Sequence, residues 1–276
     1  MGSGIILRFA ARGQSRGGFL PHYNSGMNVL VTAGNTQSPL DRVRCITNIF
    51  SGRTGAAVAA AAWRRGHTVS LATSHPERLL EFGIDPNDPA ERFALLTYRT
   101  FDELATILQT QLRGHSFHAV CHSAAVSDYL PAGTFTPDMG TMFNARTGTW
   151  EGRGTAPKMT EQKAAKIKST EPELWVRLVR APKLIDRFRS PWGFEGILVK
   201  FKLEVGVSEQ HLLEIAEQSR NHSAADLMVA NTLEGARHWA LLGPVGDGYE
   251  HVPRHELPER VVVAVEELHA AQVKNG

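Results

Sequence analysis

The chain has 276 residues, of which 42% are hydrophobic and 21% charged, and these fractions are those of an ordinary globular protein rather than a disordered one. Its formal net charge of +2 argues against a nucleic-acid or membrane surface, although it leaves room for a locally basic pocket that binds a small anion. The two cysteines show no metal or redox spacing, and no apolar run reaches the roughly 18 residues that span a bilayer, so we expect a cytoplasmic protein without disulfide bonds.

Residues 1–26 precede the first predicted strand and are rich in glycine, serine and arginine. They lack the compact apolar core and the cleavage pattern of a secretory signal. We interpret them as a flexible extension or a remnant of cloning, with a targeting segment as the alternative. Residues 27–276 are expected to form a single domain.

From Met27 onward, short β-branched runs alternate with helical stretches, which is typical of a parallel sheet covered by helices. Strands are predicted at residues 28–32, 68–72, 93–98 and 117–122, and helices at 52–65 and 101–112. Gly66 follows the alanine-rich first helix as a C-terminal cap should. The pattern predicts an α/β fold with a Rossmann-like, doubly wound, mostly parallel sheet flanked by helices.

Residues 130–165 interrupt this alternation, because proline, glycine, threonine and arginine dominate there and the periodicity fades. The connection is longer than the structureless loops of compact domains, which favours a long, mobile flap; a linker between two subdomains is the alternative. Beyond it, strands are predicted at 173–180, 196–203, 225–230 and 238–242, and helices at 182–188, 208–219 and 256–273. These elements are expected to continue the same sheet.

The first strand-to-helix connection carries a sign of a ligand site, because open α/β sheets bind ligands where strand carboxyl ends meet helix N-termini. It contains Gly34-Asn-Thr and Ser51-Gly-Arg-Thr-Gly, whose glycines would let backbone amides approach a phosphate or carboxylate. Arg44, Asn48 and Arg53 add donors. Glycines also serve tight turns and close packing, so these segments alone do not distinguish a site from a scaffold.

A second candidate segment, His122-Ser-Ala-Ala-Val-Ser-Asp-Tyr, ends the fourth predicted strand at the same edge of the sheet. Its small residues could admit a nucleotide, with Asp128 accepting hydrogen bonds from hydroxyls, or Asp128 could cap the following segment. His122 is either a donor that faces the ligand or an interior histidine whose bonds the protein satisfies.

Two common nucleotide-binding patterns are absent from the sequence. The first connection lacks Gly-x-Gly-x-x-Gly, the second strand has no acidic residue at its end, and there is no Tyr-x-x-x-Lys pair, so an NADP-dependent oxidoreductase is an alternative only. The absence of Gly-x-x-x-x-Gly-Lys-Ser/Thr excludes a P-loop kinase.

Seven segments of the chain, in order, carry a specific resemblance. They are Val31-Thr-Ala-Gly-Asn-Thr, Asp41-x-Val-Arg-x-Ile-Thr-Asn-x-x-Ser-Gly-x-x-Gly, Ala124-Ala-Val-Ser-Asp-Tyr, Ala165-Lys-Ile-Lys-Ser-Thr, Ala181-Pro-Lys-Leu-Ile, Phe201-Lys-Leu and Ala225-Asp-Leu-Met-Val-Ala-Asn. In this order and at this spacing, the chain resembles phosphopantothenate–cysteine ligases across residues 28–268. It is most similar to their stand-alone bacterial form, in which the ligase is not fused to a flavin-dependent decarboxylase.

The resemblance implies a two-step reaction of coenzyme A biosynthesis. The carboxylate of 4′-phosphopantothenate attacks the α-phosphate of a nucleoside triphosphate, usually CTP in bacteria, and gives an acyl-cytidylate and pyrophosphate. L-Cysteine then displaces CMP. The resemblance also implies Mg²⁺ on the phosphates, a flap that closes over the substrate, and a homodimer. ATP is the alternative nucleotide, and no metal ligands are assigned.

Matching positions imply the roles of individual residues. Asn48 would hold the acyl group, Arg44 would orient the loop or pair with the substrate, and Lys166, supported by Lys168, would neutralise charge on the transferred phosphoryl group. The implied substrate-binding residues are Gly34, Asn35, Thr36, Ser51, Gly52 and Gly55. The implied nucleotide-binding residues are His122, Ser123, Ala124, Asp128, Lys166, Pro182, Lys183, Leu184, Ile185 and Phe201.

Two features depart from the family pattern. Lys183 stands where fused members commonly have aspartate, and Ser219 and Ser223 align with two lysines of the helix that precedes Asp226. Arg220 or His222 could replace the missing charge. A nucleotide-binding relative without turnover is therefore a further alternative, and the preference between CTP and ATP is open.

Overall fold

A computed structural model of the protein describes residues 7–8, 26–88, 90–162 and 171–275. Most of the predicted extension at residues 1–26 lies outside these ranges, as do the two lysines of the resemblance, Lys166 and Lys168. No described helix is both long and apolar enough to cross a lipid bilayer.

The strands and helices of the described residues have the following bounds. The strands are β1 (Leu7–Arg8), β2 (Asn28–Ala33), β3 (Gln37–Pro39), β4 (Cys45–Thr47), β5 (Thr68–Thr73), β6 (Phe93–Thr97), β7 (Ala119–His122), β8 (Tyr129–Pro137), β9 (Thr141–Asn144), β10 (Thr149–Gly152), β11 (Met159–Glu161), β12 (Trp175–Arg180), β13 (Ile197–Glu204), β14 (Leu227–Thr232), β15 (Trp239–Val245) and β16 (Gly248–Pro253). The α-helices are α1 (Arg53–Arg64), α2 (Phe101–Gly114), α3 (Glu209–His222) and α4 (Leu257–Asn275), with 3₁₀ helices at Pro76–Phe82 and Leu184–Arg187.

Among the described residues, nine strands form the main sheet in the order β1-β16-β15-β14-β13-β7-β2-β5-β6. The strands from β14 to β6 in this order run parallel, and β15 pairs antiparallel with both β14 and β16. The chain moves outward from β2 through β5 to β6, and then crosses back to β7 on the other side of β2. The predicted doubly wound, mostly parallel α/β sheet is confirmed.

Successive residues of the central strands face opposite helical layers. Val29 and Val31 of β2 pack with α1 and α4, whereas Leu30, which lies between them, packs with α2 on the other face. Helix α3 packs over β14 and β15 through Leu212 and Leu213. Burial on both faces explains why the central strands are nearly continuous apolar runs.

Small side chains let α1 lie close to β2. The buried face of α1 consists of Gly55, Val58 and five alanines. A Cβ atom on Gly55 would lie 2.6 Å from Ala33 Cβ and 2.8 Å from Thr32 O, so this contact requires a glycine. The helix ends at Arg64, and Gly66 adopts a φ of +97°, as a C-terminal cap of this kind requires.

The described part of the predicted flap contains short antiparallel strands. β8 pairs with β11 and β12 in a three-stranded sheet, and β9 pairs with β10. The rings of Phe143, Trp150 and Trp175 pack together with centroid distances between 4.6 and 5.1 Å. The expectation that residues 173–180 continue the main sheet is wrong, because β12 pairs with β8. An alternating pattern indicates a strand but does not identify its partner.

Candidate active site

The carboxyl ends of β2 and β7 meet where the strand order reverses, which is the usual ligand position in an open α/β sheet. Hydrogen bonds join the two ends. Thr32 Oγ1 lies 2.9 Å from His122 Nδ1, and Ser123 Oγ donates to Thr32 O at 2.8 Å. The backbone N of Ala125 donates to Gly34 O at 2.7 Å. The two candidate segments of the sequence therefore form one surface.

The loop between β2 and α1 is held by its own side chains and by the segment after β7. Asp41 accepts bonds from Nη2 and Nε of Arg44 at 2.7 and 3.0 Å. Thr36 Oγ1 lies 3.0 Å from Ser127 Oγ, and β3 pairs with β4. Arg44 thus binds within its own loop, while its role toward a substrate stays a prediction.

Asn48 connects the same two segments. Its Nδ2 donates to Ala125 O at 3.0 Å, and its backbone carbonyl accepts a bond from Asn35 Nδ2. Asn35 Oδ1 lies 3.1 Å from Ser74 Oγ and 3.0 Å from His75 Nε2. This network fixes Asn48 beside the junction of β2 and β7, where its predicted contact with an acyl group awaits a test.

A cavity of about 370 Å³, the Gly52 cavity, opens above this junction. Its wall includes three predicted substrate-binding residues, Gly34, Ser51 and Gly52, and three predicted nucleotide-binding residues, Ser123, Ala124 and Phe201. Gly52 adopts a φ of +74°, and a Cβ atom there would lie 2.2 Å from Gly34 N. A glycine is therefore required where the loop folds over the end of β2.

A smaller cavity of about 170 Å³, the Pro182 cavity, adjoins the first. It is lined by eight of the ten predicted nucleotide-binding residues: His122, Ala124, Asp128, Pro182, Lys183, Leu184, Ile185 and Phe201. Of the other two, Ser123 lines the Gly52 cavity, and Lys166 lies outside the described residues. The two cavities share Ala124, Phe201 and Lys202, so one ligand could contact both.

Three predicted substrate-binding residues line neither cavity. Thr36 and Asn35 are buried, and their side chains bind Ser127 and Ser74. Gly55 packs against Ala33 under α1. These residues shape the loop from within.

His122 is buried at the edge of the Pro182 cavity, and its ring packs against Phe188 at a centroid distance of 5.0 Å. Burial, followed by the positive charge of Lys200, lowers the pKa of His122 to about 4, so the ring is neutral at pH 7. Thr32 Oγ1 accepts a bond from Ala124 N at 3.2 Å and can donate its own proton to His122 Nδ1. These contacts favour the interior histidine over a charged ligand donor.

Comparison with proteins of known sequence points to one family. Residues 24–137 match the family model described as the DNA/pantothenate metabolism flavoprotein C-terminal domain. The chain is 29% identical over 255 residues to the coenzyme A biosynthesis bifunctional protein CoaBC of Thermococcus kodakarensis, covering 90% of this chain and 53% of that protein. It is 29% identical over 206 residues to CoaBC of Escherichia coli K12, covering 74% of this chain and 41% of that protein.

Solved structures agree. The DNA/pantothenate metabolism flavoprotein from Streptococcus pneumoniae aligns with a TM-score of 0.67 and 26% identity, covering 89% of this chain and 100% of that chain. A Cab2 mutant in complex with phosphopantothenate-cysteine shares the fold with a TM-score of 0.64 and 18% identity, covering 90% of this chain and 88% of that chain. The resemblance to phosphopantothenate–cysteine ligases is confirmed.

The chain spans about half the length of the curated relatives it matches, 53% of the Thermococcus protein and 41% of the Escherichia coli protein. The C-terminal domain of a CoaBC protein shares its fold with a TM-score of 0.58 and 16% identity, covering 91% of this chain and 97% of that domain. The likeness of fold to that domain therefore extends across 91% of this chain.

Lys200 is a residue of this site that the sequence did not reveal. It lies on β13 next to Phe201, lines the Pro182 cavity, and donates from Nζ to Ser219 O and Ser223 Oγ, both at 2.9 Å. Its ammonium group therefore lies between the two serines that align with lysines of the ligase family. The sequence did offer one indication of a buried lysine. Lys200 directly follows three apolar residues, Ile197–Val199, which are buried in a parallel strand.

The two residues considered as replacements for the family lysines each lie beside a carboxylate. Arg220 pairs with Glu217 at 2.9 Å, and His222 lies 3.5 Å from Asp186. Lys200 instead supplies positive charge to the Pro182 cavity. Burial lowers the pKa of Lys200 to about 8. The negative charge of Asp186 opposes this shift, and the positive charges of Lys183 and Lys202 add to it.

No group of three histidine, cysteine, aspartate or glutamate residues in the described ranges could hold a metal ion. Mg²⁺ often binds one or two carboxylates and takes its remaining ligands from substrate phosphates and water.

Proposed function

We propose that this chain is a phosphopantothenate–cysteine ligase, which joins 4′-phosphopantothenate and L-cysteine in coenzyme A biosynthesis through an acyl-cytidylate. One observation carries the proposal. Residues matched to the substrate and nucleotide sites of the family line two cavities that share Ala124, Phe201 and Lys202. A carboxylate and a nucleotide bound in these cavities would lie within one connected surface.

The chemistry requires anions to approach one another. In the first step a carboxylate oxygen attacks the α-phosphorus of the nucleotide, the bond to the β-phosphate breaks, and pyrophosphate leaves. In the second step the cysteine amine attacks the acyl carbon, CMP leaves with the electron pair of the broken bond, and the amine proton passes to solvent. Positioning and positive charge are therefore the main contributions that the protein can make.

The described residues offer both contributions. Arg53, Lys202 and Arg254 bring positive charge to the Gly52 cavity, and Lys183 and Lys200 bring it to the Pro182 cavity. Asn48 would hold the acyl group without adding a charge that retains the product. Lys166 and Lys168 would act on the transferred phosphoryl group, and Mg²⁺ on the phosphates would supply further positive charge.

The decisive experiment supplies the purified chain with 4′-phosphopantothenate, L-cysteine, Mg²⁺ and either CTP, ATP or UTP. We expect pyrophosphate release that depends on 4′-phosphopantothenate, and an amide product by mass spectrometry that also depends on cysteine. We expect CTP to be the most efficient nucleotide. Absence of nucleotide consumption with all three would contradict the proposal.

Two other results would identify the alternatives. Binding of CTP without release of pyrophosphate would support a nucleotide-binding relative without turnover. Binding of NADP in calorimetry, with no response to CTP, would support an oxidoreductase.

A further inference from the structure

Arg254 lies at the junction of two cavities. It follows β16 and lines both the Gly52 cavity and a further cavity of about 530 Å³, the Arg237 cavity. The two cavities have Arg53, Thr54 and Arg254 in common. Arg254 Nη2 donates to Thr54 Oγ1, and the backbone N of Arg254 donates to His238 O at 2.8 Å. The guanidinium group is thus fixed in the wall between the cavities.

The charge of Arg254 has no carboxylate partner among the described residues. Four other half-buried arginines, Arg65, Arg189, Arg220 and Arg260, each bind a carboxylate at 2.6–2.9 Å. Burial, followed by the charge of Arg53, lowers the pKa of Arg254, yet an arginine stays charged at neutral pH. A partly buried charge without a counter-ion is unfavourable, and a bound anion would offset that cost.

The remaining polar lining of the Arg237 cavity is also basic. Arg237, His238 and His255 complete it, and none of its described lining residues is an aspartate or glutamate. Two carboxylates lie close by: Glu81 binds Arg53 at 2.6 Å, and Glu256 lies 3.3 Å from His255. Neither contacts Arg254, so the centre of the cavity wall keeps a net positive charge.

We propose that Arg254 binds a phosphate group of a substrate, and that the Arg237 cavity receives the pyrophosphate that leaves the nucleotide. This inference rests on the proposed ligase function. The triphosphate is the favoured source because Arg254 joins the cavity of the predicted ligand residues to a basic cavity beyond it. The 4′-phosphate of the other substrate has the same chemistry and is the second source. A guanidinium group can bind two phosphate oxygens at once.

The test measures binding to the 276-residue chain by isothermal titration calorimetry in the presence of Mg²⁺. The ligands are inorganic pyrophosphate, CTP, CMP and 4′-phosphopantothenate. In Arg254→Gln, we expect the affinity for pyrophosphate and for CTP to fall by about tenfold or more, because a charge-assisted bond is lost, while that for CMP is unchanged. Arg113→Gln removes the same charge from an exposed position on α2 and should leave every affinity unchanged.

The four ligands separate the outcomes. Unchanged binding of every phosphate-bearing ligand to Arg254→Gln would overturn the proposal. Weaker binding of 4′-phosphopantothenate alone would overturn the pyrophosphate site and support a contact between Arg254 and the substrate phosphate. Equal loss in the Arg113→Gln control would overturn a local contact, because it would show that net charge governs the affinity.

Two further measurements guard against misleading results. If the thermal unfolding midpoint shows that Arg254→Gln does not fold, Thr54→Val replaces it. This variant frees the guanidinium group, and we expect a several-fold loss of pyrophosphate affinity; no loss would overturn the proposal. Because binding needs no turnover, a wild-type chain that binds pyrophosphate through Arg254 but forms no amide would refute the proposed function and keep only the phosphate site at Arg254.

Discussion

A single lysine on β13 sets the charge of the Pro182 cavity. Lys200 follows three buried apolar residues and is only partly exposed, with Nζ bound to the C-terminal end of α3 through Ser219 O and Ser223 Oγ. The same ammonium group helps to keep His122 neutral. Lys200 thus gives the cavity a positive charge and disfavours a second one on His122.

We expect this lysine to make nucleotide binding depend on pH. The pKa of Lys200 is lowered to about 8, so its positive charge is present below that pH and is lost as the pH rises through it. The affinity of the wild type for CTP should therefore be lower at pH 9 than at pH 7. Lys200→Gln should bind more weakly at pH 7 and should show a smaller fall, as measured by calorimetry.

The control for this prediction is Lys274→Gln, because Lys274 is exposed near the end of α4. It should retain the wild-type affinity and the wild-type dependence on pH. The prediction fails if Lys200→Gln and the wild type lose affinity for CTP in parallel across this range. A bound anion stabilises the charged form, so the fall should lie at or above pH 8.

At the scale of elements, the first strand-to-helix connection combines two requirements. The loop must fold over the end of β2, and α1 must lie close to β2 and to the end of β7. Gly52 satisfies the first requirement with its positive φ. Gly55 satisfies the second, since its missing side chain leaves room for Ser123 and Ala33. The family glycines of this segment therefore serve the packing of α1 as well as the loop.

We expect Gly55→Ala to destabilise the protein although alanine favours helices. The substitution would gain about 1 kcal/mol in helix propensity. The new Cβ would lie 2.5 Å from Ser123 Oγ and 2.6 Å from Ala33 Cβ, and overpacking of this kind costs about 1–3 kcal/mol. Urea denaturation should show a lower free energy of unfolding. The control is Gly114→Ala, at the end of α2, where a new Cβ would have no atom within 4 Å. This variant should be neutral or stabilising. Equal stability of the two variants would contradict the packing argument.

At the scale of the whole molecule, a partly buried network joins the C-terminal helix to the first half of the chain. Glu266 on α4 accepts bonds from Arg65 at 2.6 and 2.8 Å and lies 2.8 Å from His67 Nε2. Met27 N donates to His67 Nδ1 at 3.1 Å, so the ring proton lies on Nε2 and faces Glu266. This network holds α1 and α4 together on one face of the sheet.

The network should make the protein sensitive to acid. Burial acts to raise the pKa of Glu266, but the bonds from His67 and Arg65 outweigh it and lower the pKa from 4.5 to about 2. A carboxyl group with a lowered pKa stabilises the fold above its unfolded pKa and loses that contribution as the pH falls toward the folded value. The free energy of unfolding of the wild type should therefore decrease between pH 4.5 and pH 2 more steeply than that of Glu266→Gln.

Urea denaturation at a series of pH values would measure this difference. Glu267→Gln is the matched control, because its side chain is 58% exposed and lies 3.8 Å from Arg260. Its acid profile should follow that of the wild type. Parallel acid profiles for the wild type and Glu266→Gln would show that the network does not govern acid stability.

The homodimer that the family resemblance implies can be tested at exposed apolar side chains. On the loop before α1, Ile49 is 88% exposed and Val43 is 64% exposed, and Met142 and Tyr129 of the antiparallel strands are more than half exposed. Clusters of exposed apolar side chains commonly mark protein interfaces. We expect sedimentation velocity to show a dimer and Ile49→Asp to weaken it. The control is Val205→Asp, because Val205 is 60% exposed in a turn after β13, and it should not weaken the dimer. A monomeric wild type would refute the dimer.

The order of the elements and the type of sheet could be predicted because their signals are local. A β-branched run and a capping residue each depend on neighbouring residues. The structure has α1 and α3 where the sequence predicts helices, with Gly66 after the end of α1 and Ser208 as the N-cap of α3. The ordered family segments also needed no tertiary information. Of the residues they predicted, three of the six for the substrate and nine of the ten for the nucleotide line the two adjoining cavities.

Contacts between distant residues settled what local signals could not. The pairing of β12 with β8, the position of Lys200 between Ser219 and Ser223, and the contact of Arg254 with Thr54, 200 residues apart, follow from the way the chain folds back on itself. The partner of a strand and the burial of a charge depend on surfaces that no short segment contains. For this reason the loop from Asp41 to Gly55, with Arg53, was visible in the sequence, whereas the positions of Lys202 and Arg254 at its cavity emerged only from the tertiary structure.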